Sequence, residues 1–175
     1  MGASVDHAGD VNGDGYADVI VGLPGLNEVR VYYGGPAGLM STYWSAFGSS
    51  VGEEFGYDVS SAGDVNGDGY SDVIIGAYAY STYQGRAYVF LGSPTGLSTT
   101  FHWRVDGGVV DGRFGGSVST AGDVNGDGYS DVIVGAFLEN IGGVVYAYYG
   151  SAAGLATTAS WSVVGSQLLA WFGAV

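Results

Sequence analysis

The chain has 175 residues, of which 47% are hydrophobic, 34 are glycine and none is cysteine. It carries 17 acidic residues against four basic ones, for a formal net charge of −13. This charge argues against nucleic acid as a partner and in favour of cations, while the absence of cysteine excludes disulfides and thiolate metal sites.

One segment near the start of the chain recurs twice further along. The three copies are 8–22, 62–76 and 121–135. The second and third copies, extended to 61–77 and 120–136, differ only at Ser61/Thr120 and Ile75/Val134. Such self-similarity is the signature of a repeat architecture, in which each copy forms one structural unit.

The residues that flank the three copies repeat as well. Phe-Gly pairs begin at Phe55, Phe114 and Phe172, and Met1-Gly2 takes the same place at the start of the chain. A Gly-Leu turn and a tryptophan close each repeat, the tryptophans being Trp44, Trp103 and Trp161. These markers predict three units, 1–54, 55–113 and 114–171, followed by 172–175 as the start of a fourth repeat.

The third unit shows the pattern of strands within one repeat. Four segments are predicted as strands: 117–121, 132–135, 143–149 and 159–164. The second is a short unbroken apolar run, and the third is rich in β-branched and aromatic residues. No window keeps apolar residues at helical spacing for ten residues, so a helical solenoid is a poor alternative. The sequence predicts an all-β protein made of β-propeller blades of four antiparallel strands, three blades per chain.

The repeated segment contains the pattern Asp-x-Asn-x-Asp-Gly-x-x-Asp. Oxygen donors at alternate positions of a curled loop can converge on one hard cation, and the glycine permits the turn. We expect the ninth-position aspartates and the seventh-position tyrosine carbonyls to complete the shell, giving one Ca²⁺ per repeat and three per chain. The predicted ligands are Asp10, Asn12, Asp14, Tyr16 and Asp18, then Asp64, Asn66, Asp68, Tyr70 and Asp72, then Asp123, Asn125, Asp127, Tyr129 and Asp131.

Two other interpretations of this loop can be compared with the calcium hypothesis. An EF-hand requires glutamate at the twelfth loop position, where this chain has Val21, Ile75 and Val134, so the EF-hand is rejected. A hairpin loop held by Asx turns without any metal is the remaining alternative. Three complete copies favour calcium, because nine clustered carboxylates repel one another in the absence of cations.

The Phe-Gly pairs, the aspartate loop and the Val-Ile-Val-Gly run resemble the FG-GAP repeat of the integrin α-subunit propeller. The third element is degraded here, reading Gly22-Leu-Pro, Gly76-Ala-Tyr and Gly135-Ala-Phe. The resemblance implies structural calcium in the loop between the first two strands, partner binding on the opposite face, a role in cell adhesion and an extracellular or secreted parent protein. Seven blades are usual in that family.

Three blades are too few to close a propeller, which needs about four to eight. Two chains would supply six blades, so we expect a homodimer, in which residues 172–175 overlap residues 1–4. The chain could instead be a fragment of a longer protein or an engineered repeat protein. We recognise no signal peptide in this chain, and no apolar run is long enough for membrane insertion.

Three classes of function are compared on this basis. A noncatalytic, calcium-stabilised interaction scaffold with a protein or glycan ligand is the prediction favoured by the loops. A carbohydrate-binding, lectin-like propeller is the alternative, since exposed aromatic residues such as those of the 78–83 loop can stack on sugars. Enzymatic activity is not expected, because His7 and His102 occupy non-equivalent repeat positions and form no recognisable catalytic set.

Overall fold

The computed structural model describes residues 4–166 and 173, and this part of the chain forms three antiparallel sheets of four strands each. The strands are β1 (Val5–Gly9), β2 (Asp18–Leu23), β3 (Glu28–Tyr32), β4 (Tyr43–Phe47), β5 (Val59–Gly63), β6 (Asp72–Ala77), β7 (Arg86–Phe90), β8 (Trp103–Asp106), β9 (Phe114–Gly122), β10 (Asp131–Ala136), β11 (Val144–Tyr148) and β12 (Trp161–Val164). Helical turns over Pro24–Leu26 and Tyr80–Tyr83 follow β2 and β6. Among the described residues, no helix has the length and apolarity needed to span a membrane.

Each sheet is a meander in which consecutive strands pair, so the predicted all-β fold of four-stranded antiparallel sheets is confirmed. The four strands predicted for the third unit correspond to β9–β12. The first of them is longer than predicted, because the segment before residue 117 also pairs, with Phe114 opposite Ala136. The sheets lie within the predicted units, whose boundaries remain predictions. Met1, Gly2 and the predicted overlap at 172–175, apart from Gly173, lie outside the described residues.

The first strand of every sheet ends in a register shift that opens the aspartate loop. In the first two sheets the shift falls at the alanine between His7 and Gly9 and between Ser61 and Gly63. The glycine after it has a positive φ, 78° at Gly9 and 72° at Gly63, as bulges often require. The distortion pairs this glycine with the first residue of the next strand, which is the ninth-position aspartate of the loop.

The hydrophobic core lies between the sheets rather than within any one of them. One buried cluster joins the first and second sheets, and another joins the second and third. Phe55 and Phe114 lie in these clusters and pack edge-on against Tyr88 of the second sheet and Tyr148 of the third sheet, respectively. Because β6 contributes to both clusters, all six of its residues are buried.

A close approach between backbones fixes the spacing of neighbouring sheets. A Cβ atom added at Gly76 would collide with the carbonyl oxygen of Gly115, and one added at Gly22 would collide with that of Gly56. The same contact joins Gly135 to Gly173. The glycine of the Phe-Gly pair therefore seats its segment directly against the second strand of the preceding sheet.

Because consecutive strands are antiparallel, successive loops lie at opposite ends of each sheet and form two rims. The acidic rim carries the loops between the first and second strands of each sheet, and the opposite rim carries the loops between the second and third. Between the rims, β1 packs against β5 and β5 against β9. Asp6 in β1 and Asp58, directly before β5, accept hydrogen bonds from Ser60 and Ser4 at 2.7 and 2.9 Å, which link neighbouring sheets.

Candidate metal centres

The first aspartate of each loop organises the loop backbone. The Asp10 carboxylate accepts the N–H groups of Gly13, Asp14 and Gly15 at 2.7, 3.1 and 2.8 Å. Asp64 and Asp123 accept the equivalent three bonds in their own loops, at 2.7–3.1 Å. These bonds hold the pKa of the Asp123 carboxyl below its usual value, the N–H of Gly128 having the largest effect.

The third and fifth positions are tied to each other. The Asn12 amide donates to Asp14 Oδ2 at 3.0 Å, and the Asp14 N–H donates to Asn12 Oδ1 at 3.1 Å. Asp14 Oδ1 in turn accepts the N–H of Tyr16 at 2.9 Å. The same three bonds recur in the second and third loops, so identical sequence produces identical local geometry.

The ninth-position aspartates are fully buried at the base of the loops. Asp72 accepts the N–H of Val65 and the N–H of Gly92, each at 2.9 Å, one on each carboxylate oxygen. Asp18 and Asp131 have the equivalent partners. This carboxylate connects the start of the loop to the turn after the third strand, a structural role that the sequence pattern alone did not indicate.

Burial and neighbouring charge make the ionised form of Asp72 and of Asp18 unfavourable. The pKa of Asp72 is raised to about 7: burial is the main cause, the charges of Asp68 and Asp64 add to it, and the two N–H donors act against it. The pKa of Asp18 is raised for the same reasons, with Asp14 and Asp10 as the neighbouring charges. In these two loops the three aspartates are therefore close enough to interact, and a cation among them would relieve their repulsion.

The chemistry of the donor set fits a hard divalent ion. Each loop offers carboxylate and amide oxygens at positions one, three, five and nine, together with a tyrosine carbonyl at position seven. Carboxylate oxygens have more than one lone pair, so those that accept N–H bonds can still bind a metal. In residues 4–166, however, no three acidic or histidine side chains converge closely enough to hold an ion as they stand. The ligand set therefore remains a prediction.

The seventh-position tyrosines have a second role that the sequence did not reveal. A Cβ atom added at Gly13 would meet the Tyr70 ring at 2.6 Å, and one added at Gly67 would meet the Tyr129 ring at the same distance. Each ring thus covers the loop of the preceding sheet. The repeated glycine at loop position four was the available signal, since only a residue without a side chain leaves this space.

The two histidines lie apart from the loops. His7 is an exposed residue of β1, with Nδ1 at 2.9 Å from Asp6 Oδ1. His102 Nε2 lies 3.3 Å from the carbonyl oxygen of Ala153 in the next sheet. Neither contact pairs a histidine with a serine, threonine or cysteine side chain.

Comparison with known proteins identifies a repeat family and several relatives. The family profile described as the FG-GAP repeat matches residues 1–38, 55–90 and 114–151. The chain is 39% identical to integrin alpha-PS2 of Drosophila melanogaster over 92% of its length, 34% identical to integrin alpha-4 of Xenopus laevis over 76%, and 37% identical to integrin alpha-IIb of Mus musculus over 73%. The matches cover 12%, 14% and 14% of those relatives, so the chain spans only a small part of each.

Proposed function

Because this chain belongs to the FG-GAP repeat family, we propose that it is a noncatalytic propeller module, stabilised by calcium, that acts as an interaction scaffold. The observation that carries the proposal is the grouping of nine aspartates into three equivalent loops, each with one fully buried carboxylate at its base. Three divalent ions would change the formal charge of −13 to −7.

The ligands would be the side-chain oxygens of positions one, three, five and nine, with the carbonyl oxygen of position seven. In the second loop these are Asp64, Asn66, Asp68 and Asp72, with Tyr70. When bound, Ca²⁺ would supply charge neutralisation and tie the loop to the start of the second strand. The chain's own residues position the loop: the Asp64 carboxylate holds its turn, and Asp72 fixes its base.

Asp68→Ala tests the metal hypothesis at an exposed position. The substitution removes one predicted ligand but, in the absence of metal, only hydrogen bonds of an exposed loop. A ligand whose free concentration is 100 times its dissociation constant adds about 2.7 kcal/mol to the free energy of unfolding. We therefore expect Asp68→Ala to lower the melting temperature in millimolar Ca²⁺ but hardly in EDTA. Equal losses in both buffers would support the metal-free Asx-turn loop instead.

The absence of catalytic function is part of the proposal. His7 contacts Asp6 and His102 contacts a backbone carbonyl, so neither is paired with a nucleophile in the manner of general-base catalysis. By analogy with its relatives, we place the parent protein outside the cell, in adhesion, with a protein or glycan ligand on the opposite rim.

A second copy of the chain is the partner that we propose for the two outer sheet faces. Repeat positions that are buried where two sheets meet are exposed on the outer faces of the first and third sheets. Val5 is 65% exposed, whereas its equivalents Val59 and Val118 are 2% and 4% exposed. On the outer face of the third sheet, Trp161 is 50% exposed, whereas Trp103 is 3% exposed. The two outer faces thus correspond to the two sides of the interfaces already present within the chain.

Backbone groups support the same pairing. Between the first two sheets, Ser71 N–H donates to the Asp10 carbonyl at 3.0 Å and Ser93 N–H to the Val11 carbonyl at 3.1 Å, and both bonds recur between the second and third sheets. The corresponding end groups make no hydrogen bond to a described residue: they are the N–H groups of Ala17 and Gly35 and the carbonyls of Asp123 and Val124. Donors at one end match acceptors at the other, so two copies could form a ring of six blades.

Val5→Asp tests this assembly. We expect the unmodified chain to have twice its mass of 17.8 kDa by light scattering, and Val5→Asp to be a folded monomer, because a buried unpaired carboxylate would face the apolar partner. Val51→Asp is the matched control, since Val51 is fully exposed on the opposite rim, and it should remain a dimer. If the unmodified chain were folded and had the mass of a monomer, the proposal would be contradicted. The outer faces would then be expected to pack against further blades of a longer chain.

A further inference from the structure

Arg113 differs from Arg30 and Arg86 in its partners. Arg30 pairs with Glu28, and Arg86 forms a hydrogen bond to Asp106 at 2.8 Å. Arg113 makes no ion pair with a described residue, although the chain carries 17 acidic residues. Its side chain lies instead among aromatic rings on the opposite rim, beside the second and third sheets.

These rings form an arginine cage, which we define as Arg113 with Tyr78, Tyr83 and Phe137. The guanidinium carbon lies 4.7 Å from the centre of the Tyr83 ring, 5.3 Å from that of Tyr78 and 5.7 Å from that of Phe137. Tyr57 extends the cage, with its ring centre 4.3 Å from that of Tyr78. The three distances from the guanidinium lie within the roughly 6 Å range of cation–π attraction, so these three rings hold the cation in place.

The backbone around the cage is held in an unfavourable conformation. Tyr83 and Arg113 have positive φ angles of 58° and 59°, which residues with side chains seldom adopt. The Arg113 N–H donates to the Tyr83 carbonyl at 2.9 Å and fixes the two segments together. Strain of this kind concentrates at ligand-binding positions.

The guanidinium also has hydrogen-bonding capacity that the described residues do not use. Its Nε is buried without an acceptor, and its terminal nitrogens make no hydrogen bond to a described residue. A buried donor without a partner costs about 1–3 kcal/mol. The planar guanidinium matches a carboxylate, which can accept two parallel hydrogen bonds from it.

We propose that the arginine cage binds a glycan through a sugar that carries one carboxylate, a uronic or sialic acid. The terminal nitrogens of Arg113 would take the carboxylate, and the sugar ring would pack on the exposed surfaces of Tyr57 and Tyr83, which are 37% and 43% exposed. The net charge of −13 repels every anion, but it repels a single carboxylate less than a polyanion. This site is independent of the calcium loops, which lie on the acidic rim.

The test titrates the whole chain with each of two monosaccharides, glucuronic acid and glucose, and observes the protein resonances by NMR. We expect glucuronic acid to shift the Arg113 Nε–Hε and Tyr83 resonances with a millimolar dissociation constant, and glucose to bind at least tenfold more weakly. Arg113→Gln should weaken the binding of glucuronic acid at least tenfold. Arg104→Gln is the matched control, because Arg104 also stacks on a ring, that of Phe101 at 4.9 Å, and should bind like the unmodified chain.

A second variant separates binding from folding. Arg113→Lys keeps the charge but loses the planar fork, so it should melt close to the unmodified chain and still bind at least severalfold more weakly. Three results would overturn the proposal: Arg113→Gln binds glucuronic acid as tightly as the unmodified chain does, the unmodified chain binds glucose as tightly as glucuronic acid, or glucuronic acid shifts no resonance of the cage. An acidic peptide that binds the cage more tightly than glucuronic acid would also overturn it.

Discussion

Asp72→Ala should destabilise the protein by about 2–4 kcal/mol, with or without calcium, because it leaves the buried N–H groups of Val65 and Gly92 without an acceptor. Removal of a carboxylate whose pKa is raised to about 7 by burial offsets part of this loss. Urea denaturation in EDTA measures the metal-independent share. In Ca²⁺ the loss of unfolding free energy should be larger, since the substitution also removes a predicted metal ligand.

Asp68→Ala is the matched variant in the same loop. It removes an equally charged predicted ligand from an exposed position, so in EDTA it should cost less than about 1 kcal/mol. Similar losses for the two variants in EDTA would show that the buried N–H contacts of Asp72 do not support the loop in the way we describe.

Phe55→Ala should cost about 3–5 kcal/mol, the range for truncating a large buried aromatic residue. Phe55 is fully buried between the first and second sheets, and its ring centre lies 5.1 Å from that of Tyr88. Because the core lies between sheets, the cavity would weaken the junction of two blades rather than the interior of one. Chemical denaturation followed by tryptophan fluorescence measures the change.

Phe47→Ala is the control for this truncation. Phe47 is 66% exposed in β4, so its loss should cost less than about 1 kcal/mol. If Phe55→Ala were as mild as Phe47→Ala, the Phe-Gly segment would not be the element that joins neighbouring sheets.

The strands could be predicted from the sequence because their signal is local. The run from Val132 to Gly135 is apolar and β-branched, and it forms the centre of β10 as expected. Repetition strengthened this prediction, since three copies of one pattern rarely arise from different structures. The loop hydrogen bonds follow equally directly from the spacing of Asp10, Asn12 and Asp14.

Contacts between sheets could not be predicted in the same way. The Tyr70 ring covers Gly13, and Arg113 lies among Tyr78, Tyr83 and Phe137. These contacts depend on how one repeat is placed against the next, which periodicity within a repeat does not specify. The burial of Asp72 belongs to the same class, because its second N–H partner, Gly92, comes from the turn after β7.

Calcium stoichiometry tests the central claim most directly. After removal of metal with EDTA and dialysis, titration calorimetry with CaCl₂ should give three ions per chain, and the melting temperature should rise as the sites fill. Fewer than one ion per chain, together with the same melting temperature in EDTA and in millimolar Ca²⁺, would contradict a propeller stabilised by its aspartate loops.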